Sequence, residues 1–147
     1  MENKEKVTKY LNAIYQNTRT ALQSIDNILP KAEDEELKNE LAKEQDSYYC
    51  IAKECELFAK SEDIENIKDN NFIEKAKLWT SINMSTLANS TTRHIAELML
   101  LGTFMGYITC IKDEHDHKGV SKALDEIIEK LKNLEKDNLS RLIPFLN

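Results

Sequence analysis

Helix breakers are almost absent from this chain, and the few that occur divide it. In 147 residues Pro stands only at 30 and 144, and Gly only at 102, 106 and 119. A chain this poor in turn formers does not build a sheet of many short strands; it builds a few long helices. Between the breaks, apolar residues recur at steps of four and three, the period of a helix seam facing other helices. Val7, Leu11, Ile14, Thr18, Ala21, Ile25 and Ile28 make the first seam. They predict a helix from about Lys4 to Leu29, stopped at Pro30 because the residue before a proline is pushed out of the α region.

The second seam is Leu37, Leu41, Glu44, Tyr48, Ile51, Cys55 and Phe58. Glu33, Asp34, Glu35 and Glu36 crowd its first turn, where the helix dipole favours negative charge, and Asp34 suits the cap. The link between these helices is so short that they must form a hairpin. Ser61–Asn71 reads as a polar connector with Ile64 and Ile67 as its apolar residues. Asn71 and Glu74 then have capping-box spacing.

Thr91–Ile111, TTRHIAELMLLGTFMGYITCI, is the most apolar stretch, and Glu97 is its one charge from Ile95 onward. It predicts a helix buried on most sides. Its expected seam is Leu87, Thr91, His94, Leu98, Leu101, Met105 and Ile108, while Gly102 and Gly106 share a face with Ile95 and Met99. Small residues four apart allow close approach of a neighbour or leave room for a ligand. No Pro interrupts Phe72–Lys112, so the reading adopted is one long, continuous or kinked helix. The competing reading breaks it at Asn89-Ser90-Thr91-Thr92 and turns an up-down-up-down order into an up-down-down-up order. Lys112–Gly119, KDEHDHKG, reads as a charged, solvated turn. A last helix then runs from Val120 or Ser121 to about Ile143 on the seam Ile128, Leu131, Leu134/Glu135, Asn138, Leu142 and Phe145. Residues 1–147 are thus expected to form a single all-α domain, an antiparallel four-helix bundle.

The net charge of −6 comes with no basic stripe, which sets nucleic-acid binding aside. The start, MENKEKVTKY, lacks the apolar run of a signal peptide. Ile95–Ile111 is short for a membrane span and carries Glu97 and two glycines, so it is read as a bundle helix, with no membrane association. Cys50, Cys55 and Cys110 lack paired spacing and are odd in number, as expected of a reducing cytoplasm. Leu78 and Trp79 would be exposed on an overhanging helix, which leads us to expect a homodimer.

Each helix carries a polar residue in core register near its middle. These are Asn17 or Thr18, then Glu44, then His94 with Glu97, then Glu135 with Asn138. A hairpin centred on residue 117 sets Glu97 level with about Asp137, and one centred on residue 31 sets Glu44 level with Thr18.

The segments YLNAIYQNTRTALQSIDNILPKAED, TTRHIAELMLLGTFMG and EKDNLSRLIPFL resemble small, uncharacterised ferritin-like proteins of Gram-positive bacteria. The resemblance implies a ferritin-like bundle. Di-iron members supply a Glu from one helix of each pair and Glu-x-x-His from the other. Against that pattern Glu97 stands for the third-helix Glu. Glu135 and Asn138 occupy the fourth-helix Glu-x-x-His with Asn for His, and Glu44 and Ser47 the second with Ser for His. The metal candidates are therefore Glu44, His94, Glu97, Glu135 and Asn138, with iron, manganese or zinc as the fitting ions. The same residues also make sense as a buried polar network that fixes bundle register.

Three functions follow: a non-enzymatic structural or interaction protein, which is the reading adopted; a metal-carboxylate protein for storage or oxygen chemistry; and a binder of a small apolar ligand beside Gly102 and Gly106.

Overall fold

A computed structural model describes residues 2–65, 67 and 91–147, and among them are four α-helices, two short 3-10 turns and no strand. The helices are α1 (Glu2–Ile28), α2 (Glu35–Ser61), α3 (Thr92–His117) and α4 (Lys122–Leu142).

Local chemistry sets the boundaries. Pro30 sits in the 3-10 turn Leu29–Lys31 that ends the first helix. The Asp34 carboxylate accepts a 2.9 Å hydrogen bond from Leu37 N, capping α2 as the sequence predicts. The far end of α2 closes on itself. Asp63, at φ 52°, takes the left-handed position, and Ile64 N donates to Ala59 O at 2.8 Å. That closure turns Ile64 into the core, where Ile67 is also buried.

α3 begins at Thr91, whose backbone is extended (φ −69°, ψ 148°) and whose hydroxyl accepts from His94 N at 3.2 Å. A helix running unbroken through Thr91, the continuous form of the expected long helix, is therefore excluded. A threonine hydroxyl that caps the following turn competes with continuing the one before. The capping box at Asn71, the stretch Phe72–Ala88, Leu87 and Trp79 lie outside the described residues.

The charged KDEHDH segment, expected as a turn, is the last turn and a half of α3. It is held by cross-helix contacts. Lys132 donates to Glu114 at 2.9 Å, and the His117 ring stacks on Tyr10 with centroids 5.1 Å apart. His115 and His117 in that turn complement the helix dipole. The chain reverses at Gly119, whose φ of 83° favours glycine, and Ser121 caps α4 by accepting from Leu124 N at 3.3 Å.

The helices form a four-cornered bundle. α1 packs beside α2 and α3, and α4 packs beside α2 and α3, leaving α2 and α3 on a diagonal. Cross-helix pairs fix the registers. Tyr15 meets Glu56 and Asp26 meets Gln45 between α1 and α2; Lys130 meets Glu54 and Arg141 meets Glu40 between α4 and α2. The seams predicted for the first, second and fourth helices are the buried faces of α1, α2 and α4.

The third seam is not. Ile95, Ala96, Leu98, Met99, Thr103 and Cys110 are buried, whereas Leu101, Met105 and Ile108 are exposed, as are Phe104 and Ile111. Burial on most sides was expected, yet α3 turns one apolar side outward. Because α3 is apolar almost all round, its pattern selects no face; the glycines do. Gly106 lies toward the bundle, where the Asn17 side chain of α1 and the Glu135 side chain of α4 approach it closely, and Gly102 lines the same side. α3 is also the one helix among the described residues long and apolar enough to cross a membrane, and 33% of its most apolar window is buried in the bundle.

Candidate functional site

Two features meet in the middle of the bundle: a buried polar layer between α2 and α4, and a cleft between α1 and α3.

The layer follows from the seams. The four-three steps of α2 place Glu44 and Tyr48 inward, and those of α4 place Glu135 and Asn138 opposite. Glu44 and Glu135 are each 1% exposed and Asn138 is fully buried. The Arg141 guanidinium organises one side. Its Nη2 donates to Asn138 Oδ1 at 2.6 Å and its Nε to Glu40 Oε2 at 3.1 Å. Asn138 Nδ2 in turn donates to the Tyr48 hydroxyl at 3.3 Å. The two buried acids stand at the edges of this chain of bonds. Neither oxygen of Glu44, nor Oε1 of Glu135, has a hydrogen-bond partner of good geometry. Burial, and secondarily the neighbouring Glu40 carboxyl, push Glu44 well above the ordinary carboxylate range, against the opposing pull of Arg141. Burial alone does the same to Glu135. Burial thus favours the protonated form of both acids.

The cleft has a volume of about 320 Å³, at the lower end of the roughly 300–1,000 Å³ of small-molecule sites. α1 contributes Asn17, Thr20, Ala21 and Ser24 to one wall. α3 contributes Gly102, Thr103 and Gly106 to the other, with Leu98, Met99 and Met105 as apolar surface. Tyr48 and Glu135 reach in from behind. Gly106 holds the arrangement together. Asn17 Nδ2 donates to its carbonyl at 2.9 Å, and a Cβ at this position would strike Glu135 Oε2 and lie 3.3 Å from Asn17 Oδ1. The missing side chain is what lets the Glu135 carboxyl enter the cleft.

The five residues singled out as metal ligands are divided by this geometry. Glu44, Glu135 and Asn138 are in the core. Glu97 points outward, its side chain 52% exposed, and pairs with His94 Nδ1 at 3.5 Å on the surface of the first turn of α3. The physical reason is register. Arg93 Nε donates to Leu146 O, Gly106 faces Glu135, and Cys110 Sγ lies by Ile128 O. That centres the α3–α4 hairpin on about residue 120 instead of 117, and sets Glu97 level with about Ile143, on the order of 12 Å along the axis from Glu135. Likewise Asp26 against Gln45 sets Glu44 level with about Asn27, not Thr18. Among the described residues no three His, Cys, Asp or Glu side chains gather in the manner of a metal site. The donor set thus does not fit the di-iron pattern. Cys50, Cys55 and Cys110 are free thiols, with Cys55 pushed up to about 12, mainly by burial.

Sequence reasoning treated Tyr48 as packing and passed over Glu40, Arg141, Thr20 and Ser24. A signal for the last two was present: Thr20, Ala21 and Ser24 form a stripe of small side chains on α1, matching the glycine stripe of α3. No family model, curated protein or solved structure matches the chain.

Proposed function

We propose that this protein is a small-molecule-binding helical bundle, its ligand lodged in the α1–α3 cleft against Glu135. The observation that carries this reading is a cleft of ligand size lined by a buried carboxyl, that of Glu135, one of whose oxygens has no hydrogen-bond partner. An unsatisfied polar atom in the interior costs about 1–3 kcal/mol, and a bound ligand can offset that cost. The opposed numbering of the cross-helix pairs supports an antiparallel, ferritin-like arrangement with a long crossover between α2 and α3. The free thiols favour a reducing compartment such as the cytoplasm.

Titration with cyclohexylmethanol, followed by amide resonances, tests the site. Shifts confined to α1 and α3 around Ala21 and Gly106, abolished by Ala21→Leu in a folded variant, are expected. Shifts scattered over the surface, or unaffected by Ala21→Leu, overturn the reading.

A second reading, self-association as a homodimer, is favoured by a separate observation, the outward apolar stripe of Leu101, Phe104, Ile108 and Ile111 on α3.

A further inference from the structure

The polar atoms of the cleft differ in what they have left to offer. On α1 most of the donors are already used. Thr20 Oγ1 donates to Gln16 O at 2.8 Å, Ser24 Oγ donates to Thr20 O at 3.0 Å, and Asn17 Nδ2 donates to Gly106 O. What these groups have left is mainly lone pairs, on Thr20 Oγ1, Ser24 Oγ and Asn17 Oδ1, with one N–H of Asn17 over. Asn17 Oδ1 and the Glu135 carboxyl converge on the same bare side of Gly106, and Glu135 Oε1 accepts from nothing. The hydroxyls of Thr103 and Thr109 rotate to donate or accept and so do not discriminate. Among the described residues no Lys, Arg or His lines the cleft. An anionic ligand would find no counter-ion there and one acid. A ligand rich in donors would find acceptors, a potential counter-ion and the apolar side chains of Leu98, Met99 and Met105.

We propose that the cleft selects a small primary amine with a compact apolar body, its ammonium held between the Glu135 carboxylate and Asn17 Oδ1. The ammonium has three N–H donors and no acceptor, the complement of this lining. The inference rests on the reading of the cleft as a ligand site. The amine arrives from water as the cation and meets a protonated Glu135. The O–H bond of Glu135 breaks, its proton leaves to solvent, and the ammonium–carboxylate pair forms. One proton is released for each amine bound. The titratable groups facing Glu135 are Tyr48 from α2 and Cys110 from α3, both held neutral by burial, and α1 presents the uncharged Asn17.

Calorimetric titration of the full chain separates the outcomes. The probes are cyclohexylmethylamine, cyclohexylmethanol and cyclohexanecarboxylate, in buffers of different ionisation heat. We expect the amine to bind at least about tenfold more tightly than the alcohol at pH 8, with one proton released. Its affinity rises with pH, by up to about tenfold per pH unit over the range in which Glu135 of the free protein holds its proton, the linkage of one released proton. Glu135→Gln, which keeps the shape of the side chain, is expected to remove the amine's advantage and leave alcohol binding. If the alcohol or the acid binds as tightly as the amine, the ligand class falls while the site stands. If none of the three binds, both fall. Amine binding unchanged in Glu135→Gln would mark attraction to the acidic surface and overturn the inference.

Discussion

At the scale of single residues, two buried acids set the protein's response to pH. Glu44 and Glu135 keep their protons in the folded state above the ordinary carboxylate range, whereas in the unfolded chain they titrate near about 4.3. Between those values the folded protein binds more protons than the unfolded one, so each group lowers stability as pH rises, by up to about 1.4 kcal/mol per pH unit. Their contribution is fully present below about pH 4 and is lost as pH climbs toward the folded values. Thermal midpoints at pH 5.5 and 8 check this. The wild-type chain should lose stability over that interval by more than Glu44→Gln/Glu135→Gln does; equal slopes would show that both acids are ionised when buried. Glu44, Glu135 and Asn138 were legible in the sequence because each interrupts a strong four-three seam. Glu97 and His94 were not, because their helix is apolar on both sides of them and the sequence contains no contrast to orient them.

At the scale of elements, α3 is the helix whose behaviour its own residues least determine. α1, α2 and α4 have one apolar side and one charged side, so burial dictates their rotation. α3 has two apolar sides, and the side bearing Gly106 turns inward, where the absence of a Cβ lets the Glu135 and Asn17 side chains come close. The other side is left carrying Leu101, Phe104, Ile108 and Ile111 at the surface. Phe104→Glu/Ile108→Glu should leave the fold intact, since both positions are exposed, and should shift any concentration-dependent sedimentation toward the smaller species. A wild-type protein that sediments as a monomer at all concentrations would remove the stripe as a self-association surface. Helix ends were more legible than helix faces. Asp34 caps α2 where the sequence placed it, and Pro30 stops α1, because capping and proline geometry are local effects. Gly119 likewise marks the final reversal, although α3 runs nearly up to it, through a segment in which Glu114 pairs with Lys132 and His117 stacks on Tyr10.

At the scale of the whole molecule, the registers between helices decide which chemistry is open to the bundle. A shift of the α3–α4 hairpin centre by about three residues carries Glu97 to one end of the bundle and leaves Gly106 in the layer it was expected to fill. Among the described residues, a cleft with a carboxyl at its back lies where the metal-carboxylate centre was expected. Dialysis of the purified chain against a chelator should therefore leave its thermal midpoint unchanged. A clear fall in the midpoint, restored by iron, manganese or zinc, would return the metal reading.

The sequence by itself determined that this protein is helical, where three of its helices turn inward, and which acids they bury. Those features depend on residue spacing and local backbone chemistry, both present in a single strand of sequence. Which helices are neighbours, which side of α3 faces them and what stands opposite Glu135 were decided only by tertiary packing. Inter-helix register arises from the fit of glycines, caps and cross-helix pairs on different helices, and no periodicity within one helix encodes that fit.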